Sequence, residues 1–224
     1  MKNHWILVTG QPGCGKTTAV KHMVDVLVTH PTNVRCKGFY TEEVVRRTQP
    51  EGMAGSSSSS SSRIGFDVVT IPDYQRGILA RKDLSSKFRT GPYGVDLRSF
   101  ESLALPSLSS EEDGVNVDLD RTIFVLDEIG RMELHSKRFQ EQVMALLDQG
   151  IRLIGAVTAP RYGHRVPFCD YICAQEGVHV FHLTKKTRDD TVHRLVEMIQ
   201  REWIENEKSC DPKPDGNEPH ATAG

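Results

Sequence analysis

The chain has 224 residues, of which 38% are hydrophobic, and this length and composition suit one to two globular domains with a sizeable core. Its 28 lysines and arginines against 30 aspartates and glutamates give a formal charge of −2, which excludes the global positive field that non-specific nucleic-acid binding requires. The five cysteines are odd in number and scattered, so we expect no disulfide framework. No apolar run approaches the roughly 20 residues of a membrane span, so we expect a cytoplasmic protein without membrane contact.

The amino-terminal unit is predicted to be a strand, a glycine-rich loop and a helix. HWILV is a short apolar run, and the residues from Ala19 to Val28 place apolar side chains at helical spacing. Between them, TGQPGCGKTT has the G-x-x-x-x-G-K-T spacing of a Walker A loop, whose backbone N–H groups surround phosphates. We therefore expect Lys16 to reach the β and γ phosphates and the Thr17 hydroxyl to ligate Mg²⁺. The residues assigned to nucleotide binding here are Gly10, Gln11, Pro12, Gly13, Cys14, Gly15, Lys16, Thr17 and Thr18.

The next two elements are predicted to form a β-hairpin. CKGFYTEEVV and RIGFDVVTI are both strand-like, and a serine-rich segment without apolar periodicity separates them. Such a composition predicts a disordered insertion over 48–62, at the tip of the hairpin. Residues 95–108 then have helical spacing as far as Pro106, and an acidic, turn-rich link follows.

A second fully apolar strand, in RTIFVLDEIG, ends in two acids and has the character of a Walker B segment. Asp127 is predicted to hold Mg²⁺, and Glu128 is placed to polarise a water against the γ-phosphate as general base. Alternatively, Glu128 caps the loop or pairs with Arg131, and Glu42 and Glu43 are rival acids for the same water. The residues of this strand assigned to nucleotide binding are Phe124, Val125, Leu126, Asp127, Glu128, Ile129 and Gly130.

The remainder of the chain continues the alternation of helices and strands. A helix is predicted over 132–150, strands in IRLIGAVTA and VHVFHLT, and a closing helix in TRDDTVHRLVEMIQREWI. This alternation predicts an α/β fold of the P-loop NTPase type, with a mostly parallel central sheet, helices on both faces and the added hairpin. We expect one domain over 1–204 and a disordered tail over 205–224.

Hydrolysis also needs positive charge to stabilise the γ-phosphoryl oxygens in the transition state. Four arginines at loop positions are candidates, and each of them could equally be a solvated surface residue. They are Arg63, Arg131, Arg161 and Arg165. Thr158, at the end of LIGAVT, is a candidate sensor of the γ-phosphate or simply a strand-end threonine.

Five blocks in order, GQPGCGKTT, GFYTEEV, RIGFDVVT, YGVDLRSFESLALP and LDEIGRMEL, resemble the nucleoside-triphosphatase family of thermophile type, and most closely its animal members. The resemblance runs from about Trp5 to Ile199. It implies slow, Mg²⁺-dependent hydrolysis of several nucleoside triphosphates to the diphosphate and phosphate. Two positions depart from the family pattern: Val45 stands where the family has an arginine, and Arg131 where it has a lysine.

The sequence therefore predicts a broad nucleoside-triphosphatase acting on ATP, GTP, CTP and UTP, with Lys16 and Glu128 as its catalytic residues. Three alternative functions would use the same phosphate loop. A nucleotide or nucleoside kinase would pass the γ-phosphoryl group to a small acceptor. A guanine-specific switch would carry an Asn-Lys-x-Asp stretch, which the sequence lacks. A non-enzymatic scaffold would bind nucleotide without needing Glu128. The physiological substrate and the oligomeric state do not follow from the sequence.

Overall fold

The computed structural model of the protein describes residues 4–29, 34–48, 60–112, 114–160 and 164–205. Within this part of the chain, strands and helices alternate, as the apolar patterning predicts. The strands are β1 His4–Gly10, β2 Arg35–Thr48, β3 Ser60–Ile71, β4 Arg76–Arg81, β5 Arg89–Thr90, β6 Tyr93–Val95, β7 Glu111–Glu112, β8 Val115–Asn116, β9 Thr122–Ile129, β10 Arg152–Thr158 and β11 Val178–His182. The helices are α1 Lys16–Thr29, α2 Leu97–Ser107, α3 Lys137–Asp148, α4 Pro167–Cys173 and α5 Arg188–Ile199.

A nine-stranded sheet in the order β11-β1-β10-β9-β2-β3-β4-β6-β5 forms the centre of the fold. The strands from β11 to β2 run parallel to one another. From β2 onward the pairing becomes antiparallel, through β3 and β4 to β6 and β5. The predicted mostly parallel sheet with an added hairpin is confirmed, and β4 to β6 extend the hairpin further than the sequence indicated.

Helices cover both faces of the parallel region. Each central strand alternates its side chains between the two faces, so each face is apolar and packs against helices. Trp5 and Leu7 of β1 pack on one face with α2, α3 and α4, whereas Ile6 and Val8 pack on the other with α1 and α5. Burial on both faces explains why β1 and β9 read as continuous apolar runs. On the α2 and α3 face, Phe100 and Phe139 lie 5.3 Å apart between ring centroids, in an edge-to-face contact.

The parallel arrangement brings the carboxyl ends of β1, β9 and β10 to one edge of the sheet, beside the middle of β2. Gly10 at the end of β1 is paired with Thr158 at the end of β10, and Asp127 in β9 is paired with both Ala156 and Tyr40. Ligand sites of open α/β sheets lie at the carboxyl ends of the strands, so this edge is where a site is expected.

Some predicted boundaries differ from the observed ones. Thr48 and residues 60–62, assigned to the disordered insertion, are paired strand residues of β2 and β3. Pro106 does not end its helix, since α2 continues to Ser107. The acidic link contains the short β7–β8 hairpin. The rest of the insertion, residues 49–59, lies outside the described residues, as does the predicted tail from 206 onward. Among the helices of the described ranges, none has the length and apolar character needed to cross a membrane.

Candidate active site

The glycine-rich loop joins the end of β1 to the first turn of α1. Gly10 has a φ of +156°, and a side chain there would meet the carbonyl oxygen of Leu183 at 2.4 Å, so the loop can leave the strand only through glycine. Lys16 opens α1, and its ammonium group donates to the carbonyl oxygen of Gly10 at 3.3 Å. Cys14 is 4% exposed and packs inward. Gln11, Pro12 and Gly13 are exposed. The backbone of the loop and the Lys16 side chain thus line an open cavity at the amino end of a 14-residue helix.

Asp127 stands near the carboxyl end of β9 and is 0% exposed. Both of its carboxylate oxygens are buried, and neither has a hydrogen-bond partner of good geometry among the described residues. Burial, reinforced by the charge of Glu128, raises the pKa of Asp127 to about 7, while the Thr17 hydroxyl, Lys16 and Lys21 act to lower it. A buried carboxylate without a partner is costly, so this position suits a residue that binds a cation.

Glu128 is directed into the site by an irregularity in the pairing of β9 with β10. Ala156 pairs with Asp127 and Val157 with Ile129, which leaves Glu128 as an extra residue in β9. Such bulges redirect side chains next to active sites. One carboxylate oxygen of Glu128 accepts a hydrogen bond of 2.5 Å from the Thr158 hydroxyl, and the other lies 3.3 Å from the Lys16 ammonium nitrogen.

A further acid, Glu133, lies beside Glu128 and was missed by the sequence reasoning. A Cβ atom on Gly130 would stand 2.8 Å from an oxygen of Glu128 and 2.8 Å from an oxygen of Glu133, so the two carboxylates face the same glycine. Glu133 is 3% exposed, and burial followed by the Glu128 charge raises its pKa to about 8. Gly130 therefore leaves room for a pair of acids, of which the buried one favours its protonated form.

The rival acids in the middle of β2 are held by cations. Glu42 pairs with Lys21 at 2.5 Å and also with Arg76, and these hydrogen bonds, that of Lys21 first, hold its pKa below the ordinary value. Glu43 pairs with Arg63 at 2.5 Å. A carboxylate whose pKa is lowered by bound cations is a weaker base, so Glu42 is less suited to take a proton from water, and Glu43 is occupied by its ion pair with Arg63.

The predicted arginines are not equivalent. Arg131 donates to the carbonyl oxygen of His164 at 2.9 Å rather than pairing with Glu128, and Arg165 pairs with Asp170 at 2.9 Å. Arg63 lies on the cavity wall, and Arg161 lies outside the described residues.

An arginine that was not predicted contacts the phosphate loop. A Cβ atom on Gly15 would stand 3.0 Å from Cδ of Arg188, the first residue of α5, so the side chain lies directly over the loop. The only signal for it in the sequence was a basic residue following a strand, in TKKTRDD, and that signal is common on protein surfaces.

One cavity of about 880 Å³ joins these groups. Its wall includes the loop, the Glu128 region, the middle of β2 and the turn between β5 and β6. The predicted site residues that line it are Gly10, Pro12, Gly13, Gly15, Lys16, Thr17, Thr18 and Glu128. Asp127 and Gly130 lie buried directly behind the wall.

The apolar residues of β9 assigned to nucleotide binding lie in the two cores. Phe124 and Leu126 belong to one core, Val125 belongs to the other, and Ile129 is also fully buried. None of these four side chains is on the cavity wall. A buried parallel strand turns its side chains into the two cores, so these residues hold the acids in place, and their assignment to nucleotide binding stays a prediction.

A glycine-rich loop between the first strand and helix of a mostly parallel α/β sheet, facing two acids on a neighbouring strand end, defines the class of P-loop nucleoside triphosphatases. Comparison with known proteins agrees, because the model of the NTPase family matches residues 5–196. The chain belongs to this family, and the resemblance noted in its sequence is confirmed.

Two relatives show how far the similarity extends. The chain is 34% identical over 201 residues to the nucleoside-triphosphatase THEP1 of Thermotoga petrophila, covering 90% of this chain and 96% of the relative. It is 35% identical over 201 residues to the human cancer-related nucleoside-triphosphatase, covering 87% and 96%. The crystal structure of Aquifex aeolicus THEP1 superimposes with a TM-score of 0.69 at 29% identity, covering 88% of this chain and 99% of that one. This chain is thus a hydrolase acting on nucleoside triphosphates.

Proposed function

We propose that the protein catalyses the Mg²⁺-dependent hydrolysis of ATP, GTP, CTP and UTP to the diphosphate and phosphate in the cytoplasm. The observation that carries the proposal is the position of the Glu128 carboxylate, which lines the same cavity as the loop and is held by Thr158 on one oxygen and by Lys16 on the other. A base held next to the phosphate loop is what hydrolysis requires and what a nucleotide-binding scaffold does not.

The loop residues Gly10 to Thr18 bind the phosphates through their backbone N–H groups, and Lys16 neutralises the β and γ charge. In the structure the Lys16 ammonium lies 3.3 Å from Glu128. A triphosphate offers Lys16 a stronger anionic partner, so its binding draws the ammonium from Glu128 toward the phosphates. This exchange releases one Glu128 oxygen to accept a proton while Thr158 keeps the other in place.

Thr17 and Asp127 are the residues that would hold Mg²⁺. The two Asp127 oxygens, buried without a hydrogen-bond partner among the described residues, fit a cation, and Thr17 supplies a hydroxyl on the cavity wall. When bound, Mg²⁺ neutralises charge on the β and γ phosphate oxygens. Asp127 contributes a carboxylate buried behind the cavity wall.

Glu128 acts as the general base. It takes a proton from a water molecule, the water oxygen bonds to the γ-phosphorus, and the bond from phosphorus to the bridging oxygen breaks to release the diphosphate. Arg188, whose side chain lies over Gly15 and lines the cavity, supplies further positive charge to the phosphates. Base specificity is broad, because the sequence lacks the Asn-Lys-x-Asp stretch that reads guanine.

The proposal is tested by measuring phosphate release from the four triphosphates, with and without Mg²⁺, in the absence of any added acceptor. We expect release from all four bases that stops when Mg²⁺ is chelated. Release from a single base would contradict the broad specificity. Binding of nucleotide without any release would contradict the hydrolase assignment.

A further inference from the structure

The cavity is lined by the phosphate loop and Glu128 and also by a region of the antiparallel strands that hydrolysis by water does not require. We call this region the outer chamber and define it by Arg63, Phe66, Leu79, Thr90, Tyr93 and Arg131, all of which line the cavity. It is formed by the antiparallel strands β3 to β6 and by the turn after β9. The whole cavity, at about 880 Å³, lies near the upper end of the roughly 300–1,000 Å³ found for ligand pockets.

Aromatic rings line one side of the outer chamber. Phe66 and Tyr93 pack edge to face with their ring centroids 5.3 Å apart, and both remain partly exposed. The guanidinium carbon of Arg63 lies 5.5 Å from the centroid of the Phe66 ring. The ammonium nitrogen of Lys82 lies 5.9 Å from the centroid of the Tyr93 ring. A partly exposed pair of rings bordered by cations is a surface on which a planar heteroaromatic group stacks.

A positive charge available to an anion lies on the other side of the outer chamber. Arg131 is exposed, and the hydrogen bond that the structure records for its side chain is the one to the carbonyl oxygen of His164 at 2.9 Å. Over the described ranges no carboxylate pairs with Arg131, whereas Arg63 is paired with Glu43 at 2.5 Å. Guanidinium groups carry five N–H donors, so Arg131 retains donors for a phosphate group.

Glu128 links the phosphate loop to the outer chamber. It contacts the loop through Lys16, and the chain then continues through Gly130 to Arg131. The carbonyl oxygen of Arg131 accepts a hydrogen bond of 3.4 Å from the Thr90 hydroxyl, which ties this turn to the wall of the chamber. Lys16, Glu128 and Arg131 all line the same cavity, so a phosphate bound at Arg131 shares this cavity with the γ-phosphoryl group of a triphosphate in the loop.

We propose that the outer chamber is a second binding site, for a phosphate monoester carrying a heteroaromatic ring, of the nucleoside 5′-monophosphate class, and that this ligand accepts the γ-phosphoryl group in place of water. The ring stacks on Phe66 and Tyr93, and the phosphate binds Arg131. A phosphate oxygen of the acceptor bonds to the γ-phosphorus, the bond to the bridging oxygen of the donor breaks, and two nucleoside diphosphates leave. The proposal rests on the proposed function, because both reactions use the same loop and the same triphosphate.

The experiment supplies the full chain with γ-labelled ATP and Mg²⁺, together with AMP, GMP, CMP or UMP. Label is then counted in inorganic phosphate and in newly formed nucleoside diphosphate. We expect labelled diphosphate with at least one of the four monophosphates, at the expense of labelled phosphate. Equilibrium binding of each monophosphate to the protein with ADP in its loop is measured alongside.

Variants locate the acceptor. Arg131→Ala and Phe66→Ala are each expected to lower the ratio of labelled diphosphate to labelled phosphate about tenfold, the scale on which a base stack or a phosphate contact acts. Arg131 is exposed, so its variant tests the proposal even if the other fails to fold. The control is Arg138→Ala, because Arg138 is exposed, pairs with Glu101 and lies away from the cavity.

The outcomes separate the two proposals. Phosphate release without any labelled diphosphate and without monophosphate binding overturns the second site and leaves the hydrolase intact. Transfer that Arg131→Ala and Phe66→Ala leave unchanged overturns the location in the outer chamber. Absence of phosphate release in every condition overturns the proposed function itself.

Discussion

Thr158 provides a test of how Glu128 is positioned. Its hydroxyl donates to a Glu128 oxygen at 2.5 Å from the end of β10, the strand that lies between the loop strand and the strand of the two acids. Thr158→Val keeps the shape of the side chain and removes the donor. A hydrogen bond to a charged group contributes about 1.5–3 kcal/mol, which corresponds to a rate loss of roughly 10- to 150-fold if the bond is needed in the transition state.

The assay is steady-state phosphate release at saturating Mg²⁺ and ATP, with kcat and KM determined separately. We expect kcat to fall and KM to change little, because the Thr158 hydroxyl contacts the base, and valine keeps the backbone pairing with Gly10 of the loop. Thr158→Ser is the matched control, since it keeps the hydroxyl, and it should retain most of the activity. A Thr158→Val variant with a kcat close to wild type would refute this view of Glu128, and so would a serine variant as impaired as the valine variant.

Further predictions concern the loop, the metal and the hairpin. Lys16→Ala should abolish phosphate release because the β and γ charge loses its main counter-ion. Lys137→Ala is the control, since Lys137 is exposed, and it should not change the release. Near-normal activity without Lys16 would contradict the loop assignment. Asp127→Asn should abolish activity. It should also raise the melting temperature in Mg²⁺-free buffer, since it removes a buried charge that lacks a hydrogen bond of good geometry among the described residues. A lower melting temperature would contradict the buried-charge argument. Glu42→Gln should cost about 1 kcal/mol or less of unfolding free energy, measured by denaturant titration. Because the folded pKa of Glu42 is lowered, its contribution is complete above the ordinary pKa of 4.5 and is lost as the pH falls from there through the lowered pKa. A difference in stability that grows in acid would contradict the ion pairs.

The parallel part of the fold and the phosphate loop could be predicted because their determinants are local. A glycine-rich loop between an apolar strand and an amphipathic helix has few alternative structures, and strands buried on both faces appear as apolar runs. The same locality explains the assignment of Asp127 and Glu128, which directly follow such a run.

The remaining parts of the site depend on contacts between residues distant in sequence. Arg188 packs over Gly15 because β11, the strand before α5, lies beside β1. Thr158 contacts Glu128 because β10 lies beside β9. The sequence also could not show which residues of β9 line the cavity, because a motif names a stretch of chain, whereas the pleat decides which side chains face the cavity. Glu133 was missed because its burial against Glu128 depends on the turn around Gly130.

The most direct measurement compares wild type with Glu128→Gln, determining the affinity for Mg²⁺-ATP and the rate of acceptor-free phosphate release on the same preparations. Removing the Glu128 charge frees Lys16 for the phosphates, so we expect binding at least as tight as in wild type. Turnover should fall by roughly 10²-fold or more, the scale of a lost general base. Turnover that survives the substitution would show that Glu128 is not the base, and a parallel loss of binding and turnover would show that it is a structural residue.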